Sequence, residues 1–126
     1  MTVRRFEVTV TTASDGSATA YTPYLSGYLQ DIQYVKTDFA DGSTFAITAE
    51  ANGRTLWGES NVNASAIRAP RQATHSTAGA AALYASGGTA VNDRIALGRD
   101  RIKIVISSGG NAKTGKFVFM VDDNAC

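Results

Sequence analysis

A period of two limits this chain more than any other feature. Phe6, Val8 and Val10 alternate with Arg5, Glu7, Thr9 and Thr11. Ile102, Ile104 and Ile106 alternate with Arg101, Lys103, Val105 and Ser107. Successive side chains of an extended backbone point to opposite faces, so this alternation predicts strands buried on one face. The same pattern recurs at Arg4–Thr12, Tyr28–Thr37, Ser43–Ala51, Arg54–Gly58, Asp93–Leu97 and Gly115–Val121. Asp15-Gly16, Asp41-Gly42, Asn52-Gly53 and Gly109-Gly110-Asn111 punctuate the runs as turns.

Together these signals predict an all-β fold of about seven to nine short strands. The architecture expected is an antiparallel β-sandwich (jelly-roll-like), a single domain over residues 1–126. Ser17–Tyr24 reads as the return strand of a hairpin with the first strand, and Asn52-Gly53 as the turn of a second hairpin. Tyr28–Thr37 carries apolar residues on both faces, which places it centrally. The inward set is Phe6, Val8, Val10, Ile32, Tyr34, Phe45, Ile47, Leu56, Ile95, Leu97, Ile102, Ile104, Ile106, Phe117, Phe119 and Val121. The stretch 61–91 is small and polar and reads as a long middle loop or arm, or a weakly signalled strand pair. Within it Ser65–Ile67 suggests a short strand, and Ala78–Tyr84 a helical turn or two. Residues 122–126 read as a flexible tail.

Composition narrows function by exclusion. Charged residues are 18% and the formal net charge is +1, which argues against a histone-like basic binder and a disordered tail. Apolar runs reach about seven residues where a membrane span needs about 20. The N-terminal Arg4-Arg5 is not followed by an apolar segment, so the expectation is a protein made in a cytoplasm without a secretory signal. The single cysteine, Cys126, has no intrachain partner. An incidental free thiol is the plain reading, and an intermolecular disulfide the sharper one. One histidine and one cysteine leave no basis for a zinc site, and no cofactor is expected.

No catalytic constellation stands out. His75 lies beside Ser76 in a loop, with neither a rigid elbow nor a third group to orient the base. Gly109–Gly115 lacks the order of a phosphate loop and reads as a hairpin turn. Asp38 with Asp41, and Asp122 with Asp123, fall short of a calcium loop's ligand count; turn chemistry accounts for the first pair and a solvated tail for the second. Arg68, Arg71, Arg94, Arg99, Arg101 and Lys103 cluster in sequence, but only Tyr84 interleaves with them, so nucleic acid is not the expected partner. Tyr21, Tyr24, Tyr28 and Trp57 fall at strand ends or out of phase with the core. With Arg68, Arg71 and Tyr84 they form the candidate interface set.

Three segments carry a family resemblance: Arg5-Phe6-Glu7-Val8-Thr9-Val10-Thr11-Thr12, then Asn61-Val62-Asn63-Ala64-Ser65, then Arg101-Ile102-Lys103-Ile104-Val105 with Gly110-Asn111-Ala112-Lys113-Thr114-Gly115. In these the chain resembles small virion structural proteins of tailed bacteriophages, the capsid decoration or cement-like kind. The resemblance implies a non-enzymatic protein on the capsid exterior whose partners are the major capsid protein and itself. It implies no active-site residues. A neck or tail component is the nearest alternative, and a carbohydrate- or receptor-binding sandwich using Trp57 with Asn61 or Asn63 is another.

Overall fold

A computed structural model describes residues 3–122. Ten strands follow in chain order: β1 (Val3–Thr11), β2 (Ala18–Tyr21), β3 (Leu25–Lys36), β4 (Ser43–Ala49), β5 (Thr55–Val62), β6 (Ala66–Arg68), β7 (Arg71–Ala73), β8 (Asn92–Asp100), β9 (Ile102–Ser107) and β10 (Thr114–Asp122). One sheet runs β1-β10-β3-β8-β7, with β6 also paired to β3; the other runs β2-β9-β4-β5. All pairings are antiparallel. With β6 and β7 set aside, four strands face four in the order of a jelly roll, so the expected sandwich is the observed one. β3 is central, as its two-sided pattern requires, and Asn52-Gly53 does close the β4–β5 hairpin. There Gly53 has φ 70° and donates its N–H to the Ala49 carbonyl.

Two expected hairpins are instead crossings between sheets. β1 and β2 lie in different sheets, as do β9 and β10. Their connections pack on each other at one end of the sandwich. The Thr12 hydroxyl donates to the Gly110 carbonyl at 2.6 Å and accepts from the Lys113 N–H at 2.8 Å. The Gly109 N–H donates to the Gly16 carbonyl at 2.9 Å. A turn signal specifies a change of direction but not which sheet receives the next strand, which is why Ser17–Tyr24 and Gly109–Gly115 read as hairpin pieces. The expected helical turn at Ala78–Tyr84 is absent too. Gly79, with φ 82°, closes a turn in which Ser76 accepts from Ala78 and Ala80. Asp122 is not tail: it ends β10, is buried, and receives Arg94 Nη1 at 2.8 Å.

Of the inward set, all but Phe6 and Val8 are buried, and those two pack half-covered against the core. Leu25, Leu29, Phe39, Ala49, Trp57 and Val62 join it. Bulges explain three of these additions. The β3–β10 register slips so that Met120 faces Asp31 while Val121 faces Leu29. One residue is skipped, and the inward face passes from Leu25 and Leu29 to Ile32 and Tyr34. On β5, Ile47 faces Trp57 while Thr48 faces Thr55, so Leu56 and Trp57 are both buried.

Tyr34 is fully buried, and among the described residues its hydroxyl makes no hydrogen bond. Burial, then the charges of Asp38 and Asp41, push its phenol up to about 12. A raised acid pKa means the unfolded chain loses this proton first. The contribution is complete below the ordinary tyrosine value near 10 and is lost as pH rises from there toward 12. Tyr34→Phe is expected to raise stability by about 1 kcal/mol, because a buried unpaired hydroxyl costs desolvation. Urea midpoints measured from pH 8 to 11 should fall more steeply for the parent than for the variant.

Candidate functional site

The sequence-predicted interface residues separate into five places. Tyr21 and Tyr24 come together around Arg101, whose guanidinium lies 4.0 Å and 5.6 Å from their ring centroids. Arg101 Nε also holds Glu50 at 2.8 Å, which keeps the Glu50 carboxyl below its usual value. Tyr28 sits apart under Arg94, at 4.7 Å, on the face of β3 opposite the core. Both tyrosine groups are exposed, yet the strands place them on different surfaces. Arg101 was legible only as one of a basic run; that it braces two tyrosines required the fold.

Trp57 lies inside the sandwich rather than on an exposed surface. It is 5% exposed, stacks edge-on to Phe45 at 5.3 Å, and donates Nε1–H to Glu59 at 2.9 Å. Arg68 grips the same carboxylate through Nε at 2.9 Å and Nη2 at 3.0 Å, and lies 5.7 Å from the indole. These bonds from Arg68, then Trp57, hold the Glu59 carboxyl below its usual range. β5 edges one sheet and β6 extends the other, so Trp57, Glu59 and Arg68 together close this flank of the sandwich. With Trp57 inside, and Asn63 Oδ1 accepting the Gly42 N–H, the Trp57–Asn63 sugar site has no exposed ring.

Arg71 donates Nη1 to the carbonyls of Gln30 at 3.0 Å and Pro70 at 2.8 Å. It lines a shallow groove of about 380 Å³ with Arg54, Gln72 and His75. His75 is exposed and bridges Ala81, while the Ser76 hydroxyl is taken up by the turn. The basic run is thus divided: Arg68, Arg94 and Arg101 are each committed to a carboxylate. Asp38 accepts the Thr114 N–H and Asp41 pairs with Lys36 at 2.5 Å, so both serve their loop. Among the described residues no cluster of three His, Cys, Asp or Glu could hold a metal ion. Cys126 lies outside the described residues.

Tyr84 belongs to the fifth place, the stretch between β7 and β8. It is a backbone-bonded projection: Ala82 N–H donates to Thr74, Val91 N–H to Ala82, and Tyr84 N–H to Thr89, each at 3.0 Å. Leu83 is 42% and Tyr84 76% exposed. The arm expected at 61–91 therefore narrows to residues 74–91, since β5 continues to Val62 and β6 and β7 add to a sheet. Comparisons with protein-family models, with curated proteins and with solved structures find no match to this chain.

Proposed function

We propose that this is a non-enzymatic virion structural protein, a decoration protein that binds the capsid exterior as a homo-oligomer. It braces contacts between capsomers, with the major capsid protein as its partner. The observation that carries the reading is the projection at 74–91. No residue from 74 through 91 belongs to the core, so the projection adds no buried apolar side chain to the sandwich it is attached to. It is nevertheless held by its own backbone hydrogen bonds while presenting Leu83 and Tyr84 outward. An ordered, apolar-tipped projection on a self-sufficient sandwich suits a surface covered by another protein. The jelly-roll order is compatible with this role and does not by itself imply it.

Replacing residues 75–90 with Asn-Gly tests the reading. Thr74 donates its N–H to the Val91 carbonyl in continuation of the β7–β8 register, so a two-residue turn can close on that pair. The shortened protein should keep the parent's melting temperature within about 3 °C. It should also lose co-sedimentation with decoration-free capsids and the added thermal survival of those particles. Undiminished capsid binding by the shortened protein would remove the arm from the mechanism. No binding by the parent either would overturn the decoration reading. A neck or tail role would instead appear as binding to tail or connector assemblies.

A further inference from the structure

The two flanks of the sandwich are built differently. One is sealed by Trp57, Glu59 and Arg68. On the other, β1 and β2 end their sheets and pack together. Here coverage of the inward face falls away from the Thr12 corner: Val10 is 2% exposed, Val8 and Phe6 are half-covered, and Arg4 is exposed. The cause is that β2 is only four residues long and offers Ala18 and Ala20 against the nine residues of β1. β1 itself is regular: it matches β10 residue for residue from Val3 to Thr11 without a bulge or proline. Sheet edges are usually blunted by such devices.

The backbone direction along this edge follows from the ladder. Thr12 N–H donates to the Lys113 carbonyl. Antiparallel alternation then turns the polar groups of Val10, Val8 and Phe6 toward β10. Those of Val3, Arg5, Glu7 and Thr9 face outward from the sheet's edge. The side chains of Arg5 and Glu7 are exposed, on the face opposite the core, and pair with each other at 2.9 Å.

We infer that β1 pairs antiparallel with β1 of a second copy, about a two-fold axis through Phe6. Only outward-directed backbone groups can exchange hydrogen bonds, so two-fold registers join residues of the odd-numbered set. Pairing Arg5 with itself or Glu7 with itself sets like charges opposite. Centring the axis on Arg4 does the same, and centring it on Val8 forms no charged pair. With the axis on Phe6, Arg5 faces the partner's Glu7 and Glu7 faces the partner's Arg5, giving two opposite-charge cross-strand pairs. The same register lays Phe6 against the partner's Phe6, covering the half-open apolar edge, and joins two sheets into one. The pairing is isologous, as a closed dimer requires. It deepens the homo-oligomer part of the proposed function. It is read on the free chain rather than on particles, so either can fail alone.

Sedimentation equilibrium of the full chain in a Cys126→Ser background tests this. The expected species is a dimer. Arg5→Glu, or Glu7→Arg, should weaken it about tenfold or more, and the double exchange Arg5→Glu with Glu7→Arg should restore it, because the pairs re-form with signs reversed. Phe6→Cys should give a covalent dimer on mild oxidation, since directly opposed residues in a non-hydrogen-bonded pair lie within disulfide reach. Thr9→Cys, which faces the partner's Val3, should not. A monomer at about 100 μM, more than tenfold above a micromolar dissociation constant, overturns the inference. So does a dimer indifferent to both single exchanges, or one that the double exchange fails to restore. Binding through Arg5 and Glu7 to a different protein while the free chain stays monomeric overturns it too.

Discussion

Phe117→Ala should cost about 4 kcal/mol, a large part of the roughly 5–15 kcal/mol that holds a domain of this size together. Phe117 is fully buried at the meeting point of the two sheets. Its ring lies 5.3 Å from Tyr34, 5.0 Å from Phe45 and 6.4 Å from Trp57, with Phe45 and Trp57 both edge-on to it. Tyr34 and Phe117 come from paired strands of one sheet, and Phe45 and Trp57 from paired strands of the other. Truncation therefore loses the apolar burial of one ring, the ring–ring geometry, and the lining contacts of the cavity left behind. The neighbours cannot collapse into that space, because each is pinned by its own ladder. Urea unfolding followed by Trp57 fluorescence would measure the loss. Phe117→Leu, which refills most of the volume, should recover more than half of it. A cost below about 1 kcal/mol would mean that this aromatic group is not the centre of the core.

Gly115→Val should destabilise by about 3 kcal/mol through overpacking. A β-carbon at Gly115 would sit 2.7 Å from Phe39 Cε2 and 2.9 Å from two further atoms of that ring. Phe39 is buried and stacked at 5.9 Å on Tyr34, so its ring has nowhere to retreat. The requirement is for space alone: β10 pairs here with both Val10 and Lys36, and any residue adopts a strand backbone. Gly115→Ala should move stability in the same direction by a smaller amount. Phe39→Leu in the Gly115→Val background should return part of the loss, a coupling that independent sites would not show. Thermal melts of these three variants and of Phe39→Leu alone would measure it.

Both predictions concern residues whose roles differ in how visible they are along the chain. Phe117 follows from alternation: Phe117, Phe119 and Val121 read as one face and are one face. Phe39 does not, because it lies in a loop between turn residues, and a loop aromatic has no period to betray its burial. Leu29 and Trp57 escape for a related reason. A bulge moves the inward face by one residue, and its position is set by the partner strand rather than by the strand that carries it. Among the candidate interface residues, Tyr21, Tyr24, Tyr28 and Tyr84 are exposed. Trp57 lies inside because its strand is re-phased.

The division between local and distant information runs along the same line. Side-chain alternation is a property of neighbouring residues, so the all-β class, most of the core and the Asn52-Gly53 hairpin can be read one segment at a time. The sheet that each strand joins depends on which partner accepts its hydrogen bonds far away in the chain. The Thr12–Gly110 and Gly16–Gly109 contacts, which commit β2 and β10 to opposite sheets, span more than ninety positions. The same long-range pairing leaves the β1 edge half-covered while Trp57, Glu59 and Arg68 close the other flank. The alternation that announces a strand says nothing of whether that strand will find a neighbour on both sides. Among the described residues of this protein, β1 pairs with a strand on one side only, β10.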